Sequence, residues 1–389
     1  MFAKAHEVLK KLPGQDVASW NSLISGYTEH GQGYDALNCF ESMQSEGLSP
    51  NAVTYICILK ACGRAGAVQK GKQIHDEIIS RDMLENDLIL GNTLVDMYVK
   101  FDMLATAREV LEQLPMRDAI SWNILISGYS HQGQYHEAFN CFEQMQIEGL
   151  SGDLVTFVCI LKVCGNMGVI DKAKEIHGHI MNKRLLEKDV IIGNALVDMY
   201  VKTGELHLAK GVFDEIKNHN AVSWNTMVGG YAKQGQGHEA MTYFEKMQRK
   251  GLSPDEVTFL CVLGAFSNSG LSDEAEMLFG DMSRTYGLTP CIQHHIWMIV
   301  VFGYGGHFDK AISVIKVMPC TDCLAVWVAL LGACRKWANV MLGTVAFDQI
   351  TQLDCTCATA YVLMCSIFAS AGMHEDAENV ETMRLKYAS

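Results

Sequence analysis

Apolar residues recur three and four positions apart along most of the chain, which is the spacing of one face of an α-helix. The segment 17–51 holds two such stretches, at 20–27 and 36–43, and Gly31 and Gly33 lie between them. Glycine between two periodic stretches is typical of a turn, so this segment predicts a helical hairpin. A lone hairpin of this size cannot bury its apolar face, and it needs neighbours stacked against it.

The same pattern returns at a fixed interval of 102 residues, because Ser-Trp-Asn stands at 19–21, 121–123 and 223–225. Internal similarity divides the first interval into units of 35, 36 and 31 residues, at 17–51, 52–87 and 88–118. Repetition at a fixed period is the signature of stacked supersecondary units, so the sequence predicts an all-α solenoid of helix-turn-helix repeats.

We expect a partial short unit at 1–16, then nine repeats, then two divergent helical pairs within 324–389. The nine repeats are 17–51, 52–87, 88–118, 119–153, 154–189, 190–220, 221–255, 256–291 and 292–323. Residues 2–13 overlay the second helix of a short unit. We therefore expect the chain to begin within a repeat, with any targeting peptide outside it.

Composition narrows the class of protein. The chain has 389 residues, 49% of them hydrophobic, and no apolar run approaches the roughly 18–20 residues that a membrane helix needs. The net charge of −13 speaks against indiscriminate attraction to nucleic acid, so any contact with such a polymer has to come from local groups. Seven of the 14 cysteines recur at repeat positions, as Cys57, Cys159 and Cys261 do, which predicts small buried apolar side chains in a reducing compartment.

Short motifs recur at the same places in the units. They are Val-x-Trp-Asn near the start, as at 222–225, Gly-Tyr late in the first helix, and Gly-Leu-x-Pro-Asp at the end, as at 251–255. With these motifs and the alternating unit lengths, the chain resembles the pentatricopeptide repeat family, and more narrowly its plant-type subclass of standard, long and short repeats. Residues 71–75 and 91–98 are similar to the long and short variants. Residues 325–335 and 361–372 resemble the two extension motifs that follow the repeats.

The resemblance implies a right-handed superhelical α-solenoid that binds single-stranded RNA, with one base for each repeat. In this family the fifth and last residues of a repeat select the base, and the second residue, usually aliphatic, clamps it. The implied selecting pairs are Asn21 with Asn51, Asn92 with Asp118, Asn123 with Asp153, Asn194 with Asn220, and Asn225 with Asp255. The implied clamps are Ala18, Val53, Ile89, Ile120, Val155, Ile191, Val222 and Val257.

An asparagine amide can both donate and accept, so it suits the edge of either pyrimidine. By the family's rule, Asn with Asp prefers uracil and Asn with Asn prefers cytosine. The implied RNA therefore reads C, any, U, U, any, C, U from its 5′ end, and we expect the five asparagines to line one groove open to solvent. The remaining repeats have an apolar fifth residue and leave the base edge unread; these residues are Ile56, Val158, Leu260 and Ile296.

These positions also have a structural interpretation. An asparagine at a fixed place in a helical hairpin can cap a helix or bond to a neighbouring loop. Trp20, Trp122 and Trp224 could stack on bases, but they share a face with the apolar positions, so we expect them in the core.

No catalytic residue, metal site or cofactor is expected. The letters of the zinc deaminase signature, H-x-E and P-C-x-x-C, stand at 75–77 and 319–323. Along an elongated repeat array these two halves are too far apart to share a metal. Moreover, His177, the repeat mate of His75, is followed by Gly178 and His179 and lacks the glutamate.

The resemblance implies a specificity factor for C-to-U RNA editing in a mitochondrion or a chloroplast. Its deaminase would be lost, truncated or supplied in trans by a deaminase-domain protein or another editing factor. RNA stabilisation, splicing or processing would use the same repeats. A protein-binding helical scaffold, which the acidic charge favours, is the alternative from a different class, and no membrane partner is expected.

Overall fold

The computed structural model describes residues 16–85, 87–187, 189–319 and 322–387, and the chain divides into two compact units, Met1–Leu185 and Leu186–Ser389. In these residues the regular secondary structure consists of 22 α-helices and one short 3-10 helix, Leu185–Glu187, without a strand. The predicted all-α fold is confirmed. The partial repeat expected at 1–16 lies outside the described residues except for Asp16.

In its described residues the first unit contains ten α-helices in two layers. In chain order α1 to α10 are Val17–Glu29, Gly33–Ser45, Ala52–Ala65, Val68–Ser80, Leu88–Lys100, Leu104–Gln113, Ala119–His131, Tyr135–Ile147, Leu154–Met167 and Ile170–Asn182. The odd-numbered helices pack on one another in order, and each even-numbered helix packs against the odd-numbered helix before it. This is a stack of helical hairpins with the odd-numbered helices in one layer.

The part of the second unit that the structure describes contains twelve α-helices in the same arrangement. In chain order α11 to α22 are Val190–Lys202, Leu206–Glu215, Ala221–Lys233, Gly237–Arg249, Glu256–Ser269, Ser272–Arg284, Ile292–Tyr304, Phe308–Val317, Leu324–Lys336, Val340–Leu353, Ala358–Ser370 and His374–Tyr387. Here too consecutive odd-numbered helices, from α11 to α21, pack on one another.

The starts of the odd-numbered helices follow from their capping residues. Each one from α1 to α15 is preceded by an aspartate or asparagine whose side chain accepts a hydrogen bond from a backbone N–H of the first turn. Such a cap stabilises a helix by about 1 kcal/mol. The caps are Asp16, Asn51, Asp87, Asp118, Asp153, Asp189, Asn220 and Asp255.

The apolar faces predicted for the first hairpin meet in its core. Phe40 of α2 contacts Tyr55 of the next hairpin, with ring centroids 6.4 Å apart. All three repeated tryptophans are buried, as predicted. The buried residues of this hairpin include Trp20, Leu23, Ile24, Tyr27, Ala36, Leu37, Phe40 and Met43.

The repeated cysteines divide into two groups. Cys39, Cys62, Cys141 and Cys164 are buried, as predicted. The prediction is wrong for the set Cys57, Cys159 and Cys261, which are partly exposed. These three occupy the sixth position of α3, α9 and α15, a helical turn past the clamp position, and so they lie beside the exposed face of the odd-numbered layer.

Candidate functional site

Each predicted selecting asparagine donates from its side-chain amide to the last residue of its own repeat. Asn123 reaches both carboxylate oxygens of Asp153, at 3.0 and 3.1 Å from Nδ2. The structure thus brings together all five pairs, three in the first unit and two in the second. The other distances from Nδ2 are 3.2 Å for Asn21 to Asn51, 3.3 Å for Asn92 to Asp118, 3.2 Å for Asn194 to Asn220, and 3.0 Å for Asn225 to Asp255.

The last residue of each pair is also the N-cap of the next odd-numbered helix. It forms a capping box with the threonine or serine three residues later; Asp153, for example, accepts from the Thr156 backbone N–H at 2.9 Å. Each pair therefore ties a helix to the start of the next one. The structural interpretation of these positions, a cap and a bond to the neighbouring loop, holds in all five pairs.

The expectation that the asparagine amides are open to solvent is wrong. The five are 7–9% exposed, because they lie one turn inside the odd-numbered helices and face the neighbouring cap. The more exposed member of each pair is the last residue. Asn51, Asp153 and Asn220 are exposed, and Asp118 and Asp255 are partly exposed. Of the asparagine oxygens, that of Asn123 accepts from the Thr156 hydroxyl at 2.6 Å. No described group bonds Oδ1 of Asn21, Asn92, Asn194 or Asn225.

The three carboxylates of the site are held in their charged form. Partial burial by itself would raise the pKa of Asp118, Asp153 and Asp255. Hydrogen bonds from the backbone and hydroxyl of the capping-box residue, and from the asparagine amide, outweigh that effect and lower the pKa of each carboxyl group. At neutral pH these residues are therefore acceptors only.

The predicted clamps point outward. Seven of them are β-branched side chains that are 53–65% exposed, and Ala18 is exposed as well. Because each is the second residue of an odd-numbered helix, each unit presents a row of isolated apolar side chains beside the predicted selecting pairs. The seven are Val53, Ile89, Ile120, Val155, Ile191, Val222 and Val257.

One pair and two clamps meet in an open cavity of about 500 Å³ between α5, α7 and α9. Asn123 and Asp153 line it together with Ile120 and Val155, and Lys100 lies at its other end. A concave site with apolar walls and a few convergent polar groups is the usual form of a small-ligand pocket.

Comparisons with known proteins identify the fold. Residues 15–64, 117–166 and 219–268 match the PPR repeat family, and residues 53–83, 194–220 and 257–284 match the PPR repeat. A pentatricopeptide repeat-containing protein of Arabidopsis thaliana named as chloroplastic is 34% identical over 382 residues, covering 97% of this chain and 71% of that protein. The chain belongs to the pentatricopeptide repeat family.

A second relative, named as mitochondrial, is 35% identical to this pentatricopeptide repeat protein over 387 residues, which cover 99% of this chain and 61% of the relative. The chain thus spans about three fifths of that relative's length. The solved structure of maize PPR10 with an 18-nt psaJ RNA element has a TM-score of 0.71 and 19% identity, covering 100% of this chain and 62% of PPR10. At this identity the likeness shows the fold.

The charge of this pentatricopeptide repeat protein is distributed unevenly, which the net charge concealed. The odd-numbered helices contain eight Lys or Arg and four Asp or Glu, which is a net charge of +4. The even-numbered helices contain 13 Lys or Arg and 24 Asp or Glu, which is a net charge of −11. The aspartate caps add negative charge at the starts of the odd-numbered helices. The basic residues stand in the second half of these helices: Lys60, Arg64, Lys100, Lys162, Lys202, Lys233, Arg335 and Lys336.

The residues that resembled a deaminase have other surroundings. Nδ1 of His75 lies 2.8 Å from the Tyr98 hydroxyl of the neighbouring helix, a contact between two packed side chains. Cys320, the first cysteine of the second half, lies outside the described residues. Over the part of the chain that the structure covers, no group of three or more His, Cys, Asp or Glu is placed to hold a metal ion. None of its helices is long and apolar enough to cross a membrane.

Proposed function

We propose that this protein binds single-stranded RNA in a sequence-specific way, and that its five pairs select C, U, U, C and U in the order C, any, U, U, any, C, U. The cavity at Asn123 is the observation that carries the proposal. It combines two exposed aliphatic walls, Ile120 and Val155, with a polar pair between them. An unstacked base offers its faces to apolar groups and its edge to polar ones, so this cavity fits a pyrimidine.

Selection between the two pyrimidines follows from the exposed member of each pair. A carboxylate such as Asp153 only accepts, so it favours uracil, which carries an N–H at N3. The amide of Asn51 or Asn220 can also donate, and it therefore suits the N3 lone pair of cytosine. The asparagine at the fifth position has to turn its amide away from the last residue to meet a base, which costs one hydrogen bond. Asn21, Asn92, Asn194 and Asn225 then also offer an Oδ1 that no described group bonds.

Affinity comes from a second set of groups. The eight basic residues of the odd-numbered helices can neutralise phosphates along the RNA, although the whole chain is acidic. The clamps exclude water from both faces of each base. RNA affinity should therefore fall as the salt concentration rises, and the slope of that fall gives the number of phosphates that the protein contacts.

The proposed role is that of an editing specificity factor in a mitochondrion or a chloroplast, without enzymatic activity of its own. The likeness of 325–335 and 361–372 to extension motifs of the plant-type subclass supports this role, and so do relatives named as mitochondrial and chloroplastic. The deaminase would then be supplied in trans. Sequencing organelle transcripts from a plant that lacks the protein tests this role, since an editing factor leaves specific cytidines unconverted.

A mobility-shift titration tests RNA binding itself. The probe contains C-A-U-U-A-C-U, and the control replaces its five pyrimidines with purines. We expect selective binding of the pyrimidine strand that weakens with salt. Binding of neither strand would favour a protein-binding scaffold, and equal binding of both would leave only non-specific attraction.

A further inference from the structure

A second cavity opens on the odd-numbered layer of the second unit, next to the last selecting pair. It measures about 340 Å³ and lies between α13, α15 and α17. Gly229 stands one helical turn after Asn225, and Leu260 is the unread fifth residue of the next repeat. The side chains and backbone that line it belong mainly to Gly229, Lys233, Leu260, Cys261, Gly264 and Trp297.

The three central residues differ together from their repeat mates. At intervals of 102 residues, the position of Gly229 holds serine twice, that of Gly264 holds lysine twice, and that of Trp297 holds a small residue. The mates are Ser25, Lys60 and Thr93 in the first copy and Ser127, Lys162 and Ala195 in the second. In the third copy, glycines thus replace a serine and a lysine, and a large aromatic ring replaces a small side chain.

The two glycines lie directly against larger neighbours. A Cβ at Gly264 would lie 3.4 Å from Cζ2 and 3.5 Å from Cε2 of the Trp297 ring, at van der Waals contact, so the indole packs over this glycine. A Cβ at Gly229 would lie 3.4 Å from Sγ of Cys261. The two glycines therefore leave room beside an aromatic side chain that is only partly buried.

We propose that this cavity holds one unpaired nucleobase by stacking on Trp297, without reading the base edge. The proposal rests on the proposed RNA binding, and it assigns a ligand to a region where the fifth residues Leu260 and Ile296 offer no polar group. The base would be one of the two that follow the last selected uridine on the 3′ side.

The chemistry of the lining suits a base and its phosphate. Burial raises the pKa of the Cys261 thiol to about 11, so it lines the cavity as a neutral group. Lys233 is exposed at the rim, where its charge can meet a phosphodiester. Every base has an aromatic face, and purines have the larger one. The site should therefore favour purines over pyrimidines, and both over an abasic nucleotide.

An abasic series tests the proposal. Three RNAs carry C-A-U-U-A-C-U followed by two purines, two pyrimidines or two abasic nucleotides. For the unaltered protein we expect the abasic RNA to bind about 5- to 150-fold more weakly than the purine RNA, the range for one stacked base. Equal binding of the three RNAs, with selection of the pyrimidine core intact, overturns this inference alone. Loss of core selection overturns the proposed function.

Variants separate stacking from structural support. Trp297→Ala should reduce the difference between purine and abasic RNA to less than twofold, Trp297→Phe should keep most of it, and Gly264→Lys should abolish it by filling the cavity. Thr93→Ala is the matched control, because Thr93 occupies the position of Trp297 in the first 102-residue copy, and it should keep the full difference between purine and abasic RNA. If Trp297→Ala weakened binding of the purine and abasic RNAs equally, the tryptophan would be a structural residue and the proposal would be wrong. If that variant does not fold, Trp297→Phe and Gly264→Lys still decide.

Discussion

Asn123 and Asp153 stand 30 residues apart in the chain, and Nδ2 of the asparagine lies 3.0 and 3.1 Å from the two carboxylate oxygens. The same carboxylate accepts from the backbone N–H of Thr156 at the start of α9, at 2.9 Å. One side chain thus joins two hairpins and starts a helix. In the free protein the proposed selecting pair therefore has a structural role, which is to connect adjacent hairpins of the solenoid.

Replacing Asp153 tests the structural role of this pair. Asp153→Ala removes the cap and leaves the buried Asn123 amide without its acceptor, so we expect a loss of about 2 kcal/mol in the free energy of unfolding. Asp153→Asn keeps an acceptor at the cap and should lose much less. Urea unfolding followed by circular dichroism measures both. Equal urea midpoints for the alanine variant and the unaltered protein would contradict this structural role.

The lowered pKa values of the three site carboxylates predict the direction of the pH dependence. A carboxyl group whose pKa is lower in the folded than in the unfolded chain contributes stability above its unfolded value, near 4, and loses that contribution as the pH falls through the folded value. We expect the triple variant Asp118→Asn, Asp153→Asn, Asp255→Asn to lose less stability between pH 6 and pH 3 than the unaltered protein. Parallel pH curves for the two proteins would show that these carboxylates carry no such linkage.

Close packing between odd-numbered helices can be tested at one glycine. A Cβ at Gly128 of α7 would lie 2.8 Å from Cγ1 of Val99 on α5, so Gly128→Ala should cost about 1–3 kcal/mol by overpacking. Gly178, inside α10, is the matched control, since a Cβ there meets no atom within 4 Å. Gly178→Ala should stabilise the protein by up to about 1 kcal/mol through helix propensity. Thermal unfolding of the two variants should therefore shift in opposite directions, and shifts of the same sign would contradict this reasoning.

The proposed clamps can be tested without disturbing the fold, because their side chains are exposed. Ile120→Ala and Val155→Ala should each weaken RNA binding about five- to tenfold by removing apolar contact with a base, and should leave the urea midpoint nearly unchanged. Ile147 on α8 is the matched control: it is 75% exposed but belongs to the even-numbered layer. An Ile147→Ala variant that weakened binding as much as Ile120→Ala would remove the clamps from the proposed interface.

The fold was predictable because its signals are local and repeated. The spacing of Trp20, Leu23, Ile24 and Tyr27 gave one helical face, and the interval of 102 residues copied it along the chain. The caps Asn51 and Asp153 stand directly before a predicted helix, so their structural role could also be inferred from the sequence.

The burial of the five proposed selecting asparagines was not predictable in the same way. Whether an amide at position five faces solvent or a neighbouring cap depends on how closely two hairpins approach, and periodicity along one helix contains no distance between helices. The cavity at Trp297 was missed for a related reason. Its signal was in the sequence, as three coordinated departures from the repeat, but only the packing of α15 against α17 relates Gly264 to that ring.

The most direct test of RNA reading exchanges a base preference without changing stability. Asparagine and aspartate are equally good caps, so Asn51→Asp and Asn220→Asp should leave unfolding unchanged. Asn51→Asp should shift the preference at the first RNA position from cytidine to uridine by several-fold and leave the sixth position unaffected. Asn220→Asp should cause the same shift at the sixth position and leave the first unaffected. Competition binding with RNAs that differ only at these two positions measures both preferences. Variants that keep the cytidine preference at their own position, or weaken all RNAs equally, would contradict the account.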